Sequence, residues 1–226
     1  MKKIFLILLL TSQAAFAINI SSLLVPELRE KKSKNKPDYS ITYMDGETEQ
    51  RIHLSGVIYP QNGMGRIREA MAKLKPGKSV RLYLGAHYGG LHSKNVEVGE
   101  AIRKVCEGYG PECKVTTEVG ELCYSACIDL FMFGTERVAK PNSFFAFHEA
   151  WVIHPKLAIK GYSDKKLIKE GVNPEWLAAH PELKSNQENG YILRADGLQG
   201  SNIVTHLRDP KCWWDNIDQS CFVKVP

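Results

Sequence analysis

The 226-residue chain has no Cys-x-x-Cys pair, no phosphate-binding glycine loop, no internal repeat and no low-complexity tract. The first absence, with histidines scattered along the chain, leaves a zinc site without its usual ligand spacing. The second removes the signature of a nucleotide-driven machine. Beyond the N-terminus no run approaches 18 continuous apolar residues, so a soluble mature protein is expected. An excess of one charge is lacking too. Thirty Lys+Arg against 25 Asp+Glu give +5, and +3 once Lys2 and Lys3 are set aside. That balance argues for neither a nucleic-acid surface nor a polybasic membrane patch.

What is present begins with "MKKIFLILLLTSQAAFA". A basic start, an apolar stretch from Ile4 to Leu10 and the small-x-small Ala15-Phe16-Ala17 predict a secretory signal peptide cleaved after Ala17. A periplasmic or secreted product of 209 residues follows; the same stretch retained as an anchor is the alternative. All six cysteines lie beyond it, and an even count in an exported chain predicts disulfides. Cys106–Cys113 and Cys212–Cys221 are the favoured local pairings, with a Cys123–Cys127 bond among the connectivities left open. Residues 18–40 read as a polar arm, 41–205 as one domain and 206–226 as a tail tied down by a disulfide.

Along the domain the hydrophobic period alternates between two and 3.6. Ser40 to Met44 and Arg51 to Tyr59 read as strands around the Asp45-Gly46 turn. "GRIREAMAKL" spaces Ile67, Met71 and Leu74 as one helix face. "SVRLYLGA" is a strand, "HYGG" a loop and "NVEVGEAIRKVCEGYG" a helix. "CKVTTEVG" is another strand, and "ERVAKPNSFFAFHEA" supplies one or two more. This order predicts an α/β fold with crossover connections and a mainly parallel sheet. From about residue 155 the pattern weakens to short helices and turns.

Three features carry chemistry. Ser125, in "LCYSACIDLFMFG", follows a strand and opens an apolar helix. Free N–H groups at such a helix start attract anions and can hold an oxyanion, but serine is also a common helix cap. Gly89 and Gly90 end the strand "RLYLG", where glycine lets backbone N–H groups point into a cavity or simply turn the chain. His148, in "FFAFHEA", can take a proton near neutral pH or sit hydrogen-bonded in the interior. The other histidines have less suggestive surroundings, and none is assigned to a metal.

Together "IHLSGVIY", "VRLYLGAHYGGLHSKNVEVGEAI" and "VGELCYSACIDLFMFGTERVAKPNSFFAFHEA" resemble the Clp-protease-like group of the crotonase superfamily, in its exported, ATPase-free bacterial branch. The resemblance covers residues 50–150 well and 185–205 loosely. It implies a spiral of βαβ units, with Ser125 as nucleophile, His148 as general base 23 residues later, and Gly89, Gly90 and Ala126 as oxyanion donors. The third triad position falls on Asn189, where the family has an aspartate. Ala-His-Tyr-Gly-Gly stands in place of Ser-Pro-Gly-Gly, and Glu149 in place of glutamine. A lysine base (Lys140 or Lys156) and a Cys127 nucleophile are weaker readings. The implied activity is an ATP-independent serine peptidase that needs no cofactor, no metal and no ATPase partner. Its implied partners are a peptide or unfolded-protein substrate, with homo-oligomers and peripheral membrane association left open and nucleic acid not expected. The alternative is a catalytically degenerate relative that binds a peptide or protein, or acts as a scaffold. Coenzyme A chemistry is the poorest fit to an exported chain.

Overall fold

A computed structural model of the chain describes residues 39–58, 64–147, 164–184, 191–209 and 222–225. All of them belong to the unit Asn35–Pro226. The strands among them form a single nine-stranded sheet. Its main path runs β1 (Tyr39–Asp45), β2 (Glu49–Ile58), β3 (Ser79–Gly90), β4 (Val115–Tyr124), β5 (Glu136–Ala139), β8 (His206–Arg208), β9 (Phe222–Lys224). The β2–β3, β3–β4, β4–β5 and β5–β8 pairs are parallel, while the outermost pairs β1–β2 and β8–β9 are antiparallel.

β4 is long enough to serve two neighbours. Thr116 to Val119 pair with β5, and Leu122 to Tyr124 pair with β6 (Phe144–Phe147), which pairs in turn with antiparallel β7 (Tyr191–Arg194). This fork sets the end of β4 against β6, and there the chain turns into a helix.

The strands form because their side chains alternate. On β2, Gln50, Ile52 and Leu54 are buried, and Glu49, Arg51 and His53 between them are not. Leu82 and Leu84 of β3 and Val119 of β4 extend the buried layer. Helices α1 (Gly65–Ala72) and α2 (His92–Lys104) each turn one apolar stripe into the interior, through Ile67 and Ala70 and through Val98 and Ile102. Helix α3 (Ala126–Phe131) is buried all round, as an element enclosed on every side must be. The short α4 (Asp164–Lys169) and α5 (Pro174–Ala179) follow, with Asn173 capping α5 by accepting from the Glu175 N–H at 2.9 Å.

The sheet's other face carries charge. Glu118 is 0 % exposed and sits between two guanidiniums: Arg208 Nη2 at 2.8 Å and Arg81 Nη1 at 3.2 Å. Arg208 Nε and Glu118 Oε1 are also 2.8 Å apart, an ion pair without the alignment of a hydrogen bond. A buried carboxylate needs such partners.

Two expectations change here. "HYGG" is not a loop: His87 pairs with Gly56 and Gly90 with Ile58, so β3 runs on to Gly90. The strand into the motif likewise runs to Tyr124, four residues beyond the "CKVTTEVG" stretch that ends at Gly120. The Cys106–Cys113 and Cys123–Cys127 disulfides are formed. Cys212 and Cys221 lie outside the described residues.

Candidate functional site

Ser125 is the single residue between β4 and α3, at φ 60° and ψ −128°. A non-glycine residue there is strained by about 1–3 kcal/mol, so its surroundings must hold it. They do so on both sides. The Ser125 N–H donates to the Ala146 carbonyl of β6 at 3.0 Å, and the Ser125 carbonyl accepts from the Ile128 N–H at 2.9 Å. The Cys123–Cys127 bond closes a short ring of chain around the serine, with both cysteines fully buried.

The end of β3 presses against this turn. Gly89 has φ 77°, and a Cβ on it would stand 2.5 Å from the Tyr124 carbonyl oxygen and 2.9 Å from the Ala126 nitrogen. Only glycine fits. Gly90, at φ 105°, faces the other way: its missing Cβ would lie 2.2 Å from the Ile58 carbonyl oxygen of β2. Gly89, Ser125 and Ala126 are therefore brought together, while Gly90 abuts the neighbouring strand. His148 and Asn189 lie outside the described residues.

The Gly89 N–H has a partner inside the protein. It donates to His87 Nδ1 at 3.0 Å. With Nδ1 accepting, the imidazole proton is on Nε2. The His87 ring is 0 % exposed, and its Nε2 has no hydrogen-bond partner among the described residues. Burial lowers the pKa to about 4, so the ring is neutral at ordinary pH. His87 occupies the altered part of the glycine motif, and the alteration closes off one of the donors that the motif would offer.

Sequence reasoning missed the neighbouring pair, His92 and Asp129. His92 opens α2 two residues after Gly90, Asp129 lies one helical turn after Ser125, and Nδ1 is 2.7 Å from Oδ2. Asp129 is buried and His92 is 41 % exposed. The pair helps to line a groove of about 730 Å³, together with Val96, Arg103, Met132 and Leu167. In the same lining Arg103 stacks on Phe133, 4.6 Å from the ring centroid. The carboxylate fixes the orientation of the imidazole. The signal in the sequence was positional only, a histidine and an aspartate each one step from a motif. Among the described residues no three His, Cys, Asp or Glu side chains gather as metal ligands.

No protein-family model matches the chain, and no curated protein matches it. Among solved structures it is similar to a member of the enoyl-CoA hydratase/isomerase family. The likeness has 13 % identity and a TM-score of 0.51, over 74 % of this chain and 69 % of that one. The chain has the crotonase fold.

That finding corrects the narrower readings. The likeness reported is to an enoyl-CoA hydratase/isomerase, so the Clp-protease-like assignment falls. The serine-peptidase reading falls with it, as do the enzyme class and the peptide or unfolded-protein substrate it implied. The described residues hold no Ser–His–Asp triad, and the Gly89 N–H is bonded to His87. The motif residues specify a strand–turn–helix junction, which one fold can carry with or without hydrolysis.

Proposed function

We propose that this chain is a catalytically silent crotonase-fold protein that acts as a protein-binding or scaffold module. The observation that carries the reading is the Gly89 N–H bonded to the buried His87 Nδ1. Hydrolysis by Ser125 needs backbone donors preorganised for a developing oxyanion. Here one of them is engaged by a neutral, fully buried ring. The turn is also braced by two backbone hydrogen bonds and a disulfide, which suits a rigid binding surface. A place outside the cytoplasm is part of the proposal. The N-terminal sequence and the disulfides at Cys106–Cys113 and Cys123–Cys127 support it, since such bonds persist in oxidising compartments.

The test is covalent labelling by a fluorophosphonate serine probe, beside an enoyl-CoA hydration assay, on disulfide-intact protein. The expected result is no label that depends on Ser125 and no turnover of the thioester. Labelling lost in Ser125→Ala, or hydration above the uncatalysed rate, would overturn the silent reading.

A further inference from the structure

β1 is the first edge of the sheet, and among the described strands it pairs only with β2. Its register with β2 runs unbroken from Tyr39↔Gly56 to Asp45↔Gln50, so no bulge twists the outer rim away. From Ser40 to Met44 there is no lysine and no proline, the residues that blunt an edge. The opposite edge is different: β9 has three residues and ends in Lys224. A straight, uncharged rim of backbone donors and acceptors is a template for another strand.

The rim is also self-complementary. Ser40-Ile41-Thr42-Tyr43-Met44 read antiparallel to itself about Thr42 sets Thr42 against Thr42, Ile41 against Tyr43 and Ser40 against Met44. Thr–Thr and aromatic–β-branched pairs across strands are favourable, and no like charges meet. The faces stay in phase. Ile41 and Tyr43 pack toward the core, and Ser40, Thr42 and Met44 are exposed. The nearby charge, Asp45, is held by Lys75 and Lys78.

We infer that two copies of this chain associate through β1 in a two-fold antiparallel pair that joins their sheets into one. The occupant of the edge is a second copy, because the side-chain pairing that favours it is written in the strand itself, and a self-matching patch is what an isologous dimer requires. A strand pair buries less than a standard interface, so the dimer is reversible and depends on concentration. It stands independently of whether Ser125 is silent.

Sedimentation velocity of the full chain over rising concentration tests this. The expected result is a monomer–dimer equilibrium. Thr42→Lys, which sets two ammonium groups opposite each other on an exposed position, raises the dimer Kd about tenfold. An equal mixture of Thr42→Lys and Thr42→Glu chains recovers the dimer. Thr42→Cys gives a disulfide between the two introduced thiols on oxidation, one from each copy, mapped by mass spectrometry. If Thr42→Lys does not fold, that cross-link decides alone. A wild type that stays monomeric, a dimer that Thr42→Lys leaves intact, or a folded Thr42→Cys protein without the cross-link overturns the inference.

Discussion

At the end of β4 the backbone is occupied from within, and along β1 it is presented outward. Ser125 is hydrogen-bonded through both its N–H and its carbonyl, Gly89 donates to His87, and a disulfide closes around the turn. From Ser40 to Met44 the outer rim of β1 has no strand partner among the described residues. The two regions belong to the same sheet but hold opposite kinds of surface. The turn keeps the shape of a reactive junction with one of its donors closed off. The edge has no special shape but leaves a row of donors and acceptors open. Which polar groups are unengaged therefore says more about a site than which residue types are present.

The largest effect is expected beneath the closed region, in the ion network that joins β3, β4 and β8. Glu118→Gln removes the buried carboxylate shared by Arg208 and Arg81, of which Arg81 keeps its ion pair with Glu49. Chemical denaturation should show a loss of about 3–5 kcal/mol.

Acid should open the closed region next. The His87 pKa lies at about 4 in the folded protein, against 6.5 when unfolded. A lowered histidine pKa means that the unfolded chain takes up the proton first. His87 therefore costs no stability above pH 6.5, and stability falls as pH drops from 6.5 toward 4, by about 3 kcal/mol in all. Denaturation across that range should show the slope. His87→Asn, which keeps an acceptor for Gly89 but does not titrate, should make it shallower, leaving the part due to His53 and His206, whose pKa values burial also lowers.

The Cys106–Cys113 and Cys123–Cys127 bonds sharpen the contrast between a braced turn and an ordinary loop. Chain-entropy arguments give each about 2–3 kcal/mol, so replacing either pair by alanine should lower stability similarly. Only loss of the Cys123–Cys127 bond should also speed exchange of the Gly89 amide, because only that bond encloses Ser125. The smallest effect belongs to the open edge. Thr42→Lys should change monomer stability by less than about 0.5 kcal/mol while weakening the dimer about tenfold, or ~1.4 kcal/mol.

Much of the fold was legible in the sequence because it rests on local period. The alternation in β2 and the helical stripe of α1 fall where the sequence places them. The Cys106–Cys113 bond was legible from spacing alone. The continuation of β3 through "HYGG" was not, since it depends on pairing with Gly56 and Ile58, and two glycines read locally as a turn. At the site, the place of Ser125 between a strand and an apolar helix was legible from the motif. The bond from Gly89 to His87 was not, because it depends on how the strand backbone from His87 to Gly89 and the buried ring are oriented, which residue types alone do not give. His92–Asp129 and Glu118–Arg208 join residues 37 and 90 positions apart, and helix packing and sheet order bring them together. The serine-peptidase reading failed at the step from turn geometry to chemistry, which residue types alone do not license.

The most direct test of the central claim is nitrogen-15 NMR of His87 together with hydrogen exchange of the Gly89 amide at neutral pH. The account predicts an imidazole protonated on Nε2, an unprotonated Nδ1 coupled to the Gly89 N–H, and slow exchange of that amide. A proton on Nδ1 and a Gly89 amide that exchanges as fast as an exposed loop would mean that the donor is available, and would contradict the account.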